Sequence, residues 1–370
     1  MPGLLETLRE AERELTICNS CRYCEGLCAV FPAVELRTSL TKGDLTYLAN
    51  LCHDCRACYQ ACMYAPPHEF AVNLPRALSE VRAETYAEFA WPRWLATMLR
   101  RPWAVASVAA VALVLGLAGV ALTGGGSGFL SAHLGPGAFY RILPWLALMV
   151  PSLAVSLFVV AVLLAGTAGL IREAGGTWRS LAHGRVWGGA LVDGLRLRYL
   201  GGGGGNCYYP EAETPSSSRR ILHGLVLGGF LAAFLSTTIA AIEQDLLHLD
   251  PPYPLLSAPV ILGTAGGVAM VIGCAGLLWL KRSSTSSLAA PAMTGMDTVF
   301  LLVLGLGSLT GLLTLALRAT PLLGPALVVH VAVLAALYVT APYGKFVHWV
   351  YRLGALLQYR AESRAGRVLY

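Results

Sequence analysis

The chain has 370 residues, 56% of them hydrophobic and 13% charged, with a mean hydropathy of +0.61. This balance excludes a purely soluble protein. Lys and Arg number 27 against 21 Asp and Glu, and a net charge of +6 is too small to make nucleic acid the default partner.

The first 100 residues are polar enough for a soluble domain, and no long apolar run follows the start, so no secretory leader is expected. Eight of the ten cysteines fall here, in two runs of identical spacing. Cys18, Cys21, Cys24 and Cys28 read C-x2-C-x2-C-x3-C, and Cys52, Cys55, Cys58 and Cys62 repeat it. This is the ligand arrangement of two-cluster ferredoxins, where three closely spaced thiolates wrap one corner of a cubane and the fourth cysteine serves the other cluster. It predicts one [4Fe–4S] cluster on Cys18, Cys21, Cys24 and Cys62, and a second on Cys52, Cys55, Cys58 and Cys28. Zinc suits such runs poorly, because its tetrahedral sites are usually built from separated cysteine pairs. A cytoplasmic location disfavours disulfides. One feature departs from the ferredoxin run: Pro32 and Pro66 lie four residues past the fourth cysteine instead of directly after it.

Six uncharged stretches follow: Trp103–Leu122, Ile142–Ile171, Ile221–Ile242, Tyr253–Leu280, Thr298–Leu317 and Ala319–Gly344. Each exceeds or matches the roughly 20 residues that span a bilayer core. Six such runs favour a membrane bundle over the buried helices of a large globular protein. The predicted fold is therefore mainly α: a ferredoxin-like helical module at 1–100, a six-helix transmembrane domain at 101–350 and a tail at 351–370. Basic residues set the orientation. Arg172, Arg179, Arg185, Arg196, Arg198, Arg219 and Arg220 lie in the 172–220 loop, Lys281 and Arg282 in the next loop of that side, and Lys345, Arg352, Arg360, Arg364 and Arg367 near the end. The opposite loops hold only Arg141 and Arg318, with Glu243, Asp245 and Asp250. Both termini are thus expected on the inner face of the cytoplasmic membrane.

Within 172–220, an amphipathic stretch from Thr177 to Tyr199 runs into five glycines at 201–205 and then Asn206-Cys207-Tyr208-Tyr209-Pro210. An interfacial helix with a flexible linker is the plain reading, and a docking surface for a soluble partner the functional one. Cys274, inside a span, reads as a small buried hydrophobe.

Histidines in membrane spans are costly and point to function. His223 opens the third span and His330 lies within the sixth, with His348 at that helix's inner end. Eighteen residues separate His330 from His348, five turns at about 3.6 residues each, so one continuous helix would place both on one side. An outward third span and an inward sixth bring His223 and His348 to the same depth, where the pair can ligate a haem. Gly224, Gly228 and Gly229 would let a flat macrocycle approach the backbone. No C-x-x-C-H motif is present, so the haem would be b-type. A second haem on His330 needs an outer partner, for which His248 is chosen over His133. His53 and His68 read as cluster surroundings, and His183 falls in the 172–220 loop.

The chain resembles the tricarballylate-utilisation (citrate-utilisation) protein B family of membrane electron-transfer subunits. The resemblance covers nearly the whole length and is carried by Cys18-Asn19-Ser20-Cys21-Arg22-Tyr23-Cys24, Cys52-His53-Asp54-Cys55-Arg56-Ala57-Cys58, Leu197-Arg198-Tyr199-Leu200 and Arg219-Arg220-Ile221-Leu222-His223. It implies an FAD-dependent dehydrogenase partner acting on tricarballylate, with electrons passing through iron–sulfur clusters and haem to membrane quinone. Separately, His330 and Pro342-Tyr343-Gly344-Lys345-Phe346-Val347-His348 look like the final helix of the respiratory nitrate reductase gamma subunit, including the spacing of its haem-binding histidines. His223 matches that family's first ligand on the partner helix, and Ala233 stands where the second would fall.

These features predict an electron-transfer subunit with no substrate chemistry of its own, its cofactors carrying the reaction. No dinucleotide fingerprint is present, since neither a strand before nor a helix after frames the five glycines, so the flavin belongs to the partner. A membrane redox sensor is the alternative and would need an output module. A transporter is disfavoured, because none of the six uncharged stretches contains an acidic residue.

Overall fold

The structure, a computed structural model, describes residues 4–101, 103–123, 128–209 and 214–365. Pro210 of the 172–220 loop and Arg367 of the tail lie outside these residues.

Helix α1, Leu4–Cys21, buries Thr7, Ala11, Glu14 and Leu15, the spacing of one helical face, and carries Cys18 and Cys21 in its last turn. Arg22, at φ 56°, ends it in the left-handed region. Helix α2, Val30–Glu35, follows the last cysteine of the first run. Helix α3, Lys42–Leu51, starts from a reciprocal cap between Thr41 and Asp44 and ends directly before Cys52. Asp54 and Arg56, also left-handed, turn the second run into the short α4, Ala57–Gln60. Helix α5, Leu74–Glu88, is capped by Asn73, whose side chain accepts the Arg76 amide, and α6 covers Arg93–Leu99. Both cysteine runs therefore lie where helices stop and the backbone turns sharply.

Six helices are long and apolar enough to cross a membrane: α7 (Ala104–Leu122), α8 (Trp145–Glu173), α11 (Ser218–Asp245), α12 (Ala258–Arg282), α13 (Pro291–Ala316) and α14 (Leu323–Thr340). Between α8 and α11 lie the short α9, Trp178–Leu181, and α10, Gly184–Leu195. Leu115, Leu153, Leu157, Leu164 and Leu306 are exposed on the outside of the bundle, where only lipid would accept them. In the bundle α11 packs on α12, α12 on α13, α13 on α14 and α14 on α7. Small residues allow the closest crossing: a Cβ on Gly229 would stand 2.6 Å from the Gly266 carbonyl, and one on Gly273 would stand 2.7 Å from a Val226 methyl. Gly229 thus belongs to the α11–α12 contact and not to a macrocycle cradle. Ala233 lies in the same contact, its amide 3.0 Å from a Cβ built on Gly266.

The helix of the sixth stretch does not continue to His348. It ends at Thr340, Pro342 and Gly344 lie in a broken segment of 3-10 turns, and His348 opens a new helix, α15, His348–Arg364. Proline removes a backbone donor and clashes with the preceding turn, so an apolar run reads as continuous where the backbone is not. Five turns along one helix consequently do not relate His330 to His348. A second boundary also moves: α13 begins at Pro291 and includes Asp297, which the uncharged stretch starting at Thr298 leaves out. A membrane helix of this chain does carry an acidic residue, held in ion pairs with Lys281 and Lys345.

One apolar core joins the N-terminal module to the bundle. Leu15, Leu48, Leu78 and Tyr86 pack in it with Leu170 and Ile171 of α8, Ala190 of α10, and Tyr351, Leu356 and Leu357 of α15. Most of the segment after residue 350 is therefore a docked helix. We call the side of the bundle carrying the N-terminal module the head side.

Candidate functional site

Two pockets in the head are lined by thiols. Cys18, Cys21, Cys24 and Cys62 surround one, with Tyr23, Met63 and Tyr64. Cys28, Cys52, Cys55 and Cys58 surround the other, with His53, Asp54 and Arg56. Phe31 lines both, so the pockets are neighbours. Burial pushes the Cys18 and Cys55 thiols up to about 12 and Cys24 to about 11, and carries Cys28 and Cys58 well above the ordinary thiol range. Nearby thiols add to the rise on each. A set of buried sulfurs this reluctant to ionise together suits a strongly cationic guest that displaces their protons. Among the described residues no three His, Cys, Asp or Glu side chains converge as they would on a single metal ion. The thiols ring a space, an arrangement suited to an iron–sulfur cluster wider than one ion.

The turn after α10 packs against the second pocket. Gly202, at φ +52°, leaves room for Ala57 and Cys55, whose atoms would lie 3.1 Å and 3.7 Å from an added Cβ. The Tyr208 amide donates to the Cys55 carbonyl at 2.9 Å, and Arg56 stacks 4.5 Å above the Tyr209 ring. Gly202 of the five-glycine stretch thus backs the Cys55–Ala57 loop that bounds the second pocket. Arg219 of α11 donates to the Asp54 carbonyl, and Arg352 of α15 donates to the Cys52 carbonyl at 2.9 Å.

One turn beyond each arginine stands a histidine, four residues away in both helices. The His223 and His348 rings face each other with centroids 6.2 Å apart and planes at 82°. Two metal–nitrogen bonds of about 2 Å, plus about 1 Å from each nitrogen to its ring centre, give roughly the separation that two imidazoles holding one metal ion would need. The Nδ1 of His348 lies 2.7 Å from the Lys345 carbonyl; with Nδ1 as donor, Nε2 keeps its lone pair. Burial, reinforced by Lys345 and Arg352, holds that imidazole well below its usual range and so neutral. His223 Nδ1 is buried without a hydrogen-bond partner. A Cβ on Gly224, the residue after His223, would meet nothing within 4 Å, whereas Gly228, likewise clear, is exposed and lies about 140° around α11 from His223. His223 and His348 fit as the residues that would hold a haem.

The other histidines are placed differently. His330 Nδ1 lies 3.0 Å from the Thr310 hydroxyl, and a Cβ on Gly311 would stand 3.0 Å from its ring. His248 is exposed beyond α11, at φ 54°, and no ring contact or hydrogen bond joins it to His330 among the described residues. His133 closes a local turn through the Gly128 carbonyl at 2.9 Å. His53 bonds the Leu51 carbonyl at 2.8 Å beside the second pocket, and His68 packs on Tyr64 and Phe70. Sequence reading missed the arginine contacts to the Cys52–Asp54 loop; their signal was the recurrence of Arg four residues from His on two helices.

Fold and site together define a multi-pass helical membrane protein with an iron–sulfur-type cysteine head. Residues 96–368 match the family described as citrate utilization protein B, and residues 11–88 match its Fer4-like domain. The citrate utilization protein B of Escherichia coli is 40% identical over 368 residues, covering 98% of this chain and 95% of that protein. No solved structure matches the chain. The chain belongs to the citrate utilization protein B family, and its head is of iron–sulfur type.

Proposed function

We propose that this protein is the membrane-anchored electron-transfer subunit of an oxidoreductase, receiving electrons from a reduced FAD-dependent dehydrogenase that acts on a tricarboxylate and delivering them to membrane quinone. Two [4Fe–4S] clusters, on Cys18, Cys21, Cys24 and Cys62 and on Cys28, Cys52, Cys55 and Cys58, and one b-type haem on His223 and His348 would supply the one-electron chemistry. The observation that carries this reading is the placement of the facing imidazoles one helical turn from two arginines bound to the loop of the second thiol pocket. Arg219 and Arg352 fix that loop against the helices that present His223 and His348. Lys345 orients His348 through its carbonyl. The head would lie in the cytoplasm, with both termini, and the bundle in the cytoplasmic membrane. No second haem is assigned to His330 and His248, since His248 is exposed beyond α11 and no contact joins it to His330 among the described residues.

The test is spectroscopic. Purified protein should contain close to eight cluster irons per chain and a low-spin haem that dithionite reduces and a soluble quinone reoxidises. His223→Ala and His348→Ala should each abolish the haem spectrum and leave the cluster iron in place. Four irons per chain would overturn the two-cluster assignment, and a haem spectrum indifferent to both substitutions would overturn the ligand pair.

A further inference from the structure

The junction beside the imidazole pair buries more positive charge than negative. Asp297 accepts Lys281 at 2.9 Å and Lys345 at 2.7 Å, so one carboxylate serves two ammonium groups. Arg82, only 3% exposed, donates its Nε to the Ala49 carbonyl at 2.8 Å and leaves Nη2 without a partner. Arg352 donates to a second carbonyl, that of Cys52. The Tyr86 hydroxyl, buried nearby, is likewise unpartnered. Arg82 and Arg352 reach neighbouring carbonyls at the end of α3, those of Ala49 and Cys52, and the Tyr86 ring lies 5.8 Å from that of Tyr351, the residue before Arg352, so these groups gather against the segment that runs from Lys345 through His348. Carbonyls satisfy hydrogen bonds but do not cancel charge, and buried cations without a counter-ion are costly.

What anion belongs here follows from position. Lys345 is tied to His348 through its own carbonyl, at 2.7 Å, so its side chain and that ring belong to one short segment. Resting on the haem reading above, we propose that Arg82, Lys345 and Arg352 form a carboxylate site for the two propionates of the haem held by His223 and His348, with Tyr86 as a neutral donor. A pair of carboxylates would balance the excess and occupy the idle donors of Arg82 and Tyr86. The charge-assisted bonds so formed are the strong kind, and removing one partner costs on the order of tenfold in affinity.

The full-length protein, purified in detergent and stripped of haem, tests this by titration with haem b and with its dimethyl ester, which keeps ring and iron and lacks both carboxylates. Wild type should bind the free acid at least tenfold more tightly than the ester. Arg82→Gln and Lys345→Gln should each weaken binding of the acid toward that of the ester, leave ester binding unchanged and preserve the bis-imidazole spectrum. Equal affinity of wild type for acid and ester overturns the propionate site. So does loss of cluster iron, with unchanged haem affinity, in Arg82→Gln, because the charges would then serve the second cluster. Should Arg82→Gln fail to fold, the acid-to-ester ratio of wild type and Lys345→Gln still decides. Wild type that binds neither compound, or binds both without His223 and His348, overturns the haem reading itself.

Discussion

Arg37→Met and Glu362→Gln should destabilise the head by different amounts, and the difference tests how α15 is held. The Arg37 guanidinium lies 2.6 Å from Glu362 Oε1 and 2.8 Å from Asp44 Oδ1, with side chains of Arg37 and Glu362 each 9% exposed. The Tyr47 hydroxyl donates to Glu362 at 3.2 Å, and Gln358 donates at the same distance. Removing the arginine leaves two carboxylates without their cation, one of them buried, and breaking a buried pair in this way costs about 3–5 kcal/mol. Glu362→Gln keeps the shape, and Arg37 retains Asp44, so the loss should be nearer about 1–2 kcal/mol, that of a charged hydrogen bond weakened to a neutral one. For a cooperative unit of this size, about 2–4 °C per kcal/mol, Arg37→Met should lower the melting temperature by roughly 6–20 °C and Glu362→Gln by roughly 2–8 °C. The assay follows loss of cluster absorbance on heating purified protein at one scan rate. Equal and small shifts would refute the reasoning, showing that apolar contacts alone dock α15.

Three further outcomes are expected. Burial pushes the Glu14 carboxyl up to about 7 against an ordinary 4.5, so the folded head holds a proton that the unfolded chain releases. Its contribution is full below pH 4.5 and lost as pH rises toward 7; Glu14→Gln should flatten that fall, which is worth up to about 3 kcal/mol, in melting curves from pH 5 to 8. Gly224→Phe should crowd the ring of the adjacent His223 and remove haem absorbance while cluster iron stays, whereas Gly273→Leu, 2.7 Å from Val226 at its Cβ, should lower the yield of folded protein as a whole. Cys62→Ser should perturb the same cluster signal as Cys18→Ser, and Cys28→Ser the same signal as Cys52→Ser, in electron paramagnetic resonance of the reduced protein; pairing of each fourth cysteine with its own run would instead refute the crossed sets.

The helical class and the six membrane-length segments were readable because composition and run length report them directly. The cysteine runs were readable because ligand spacing is local in sequence, and the fold gathers those eight thiols four and four around two pockets. What escaped notice depends on breaks and on distant contacts. The stop at Thr340 hides in an apolar stretch whose hydrophobicity continues past Pro342. Asp297 was excluded by an uncharged-run criterion, although Lys281 and Lys345, sixteen and forty-eight residues away, make its burial tolerable. The glycines at 201–205 look like a linker until Cys55 and Ala57 are seen against Gly202.

The break before His348 has a physical consequence. Had the sixth helix continued, His348 would belong to the bundle alone and the head could rock against it. Instead His348 is the first residue of a helix that lies in the core of the head, with Tyr351, Leu356 and Leu357 buried and Glu362 paired to Arg37 at its far end. Arg352, between them, holds the Cys52 carbonyl. One rigid element therefore touches the proposed haem ligand, the loop of the second thiol pocket and the opposite side of the module. Loosening either end should move the imidazole relative to the thiols, so Arg37→Met should slow cluster-to-haem electron transfer in rapid-mixing kinetics although it touches neither cofactor site.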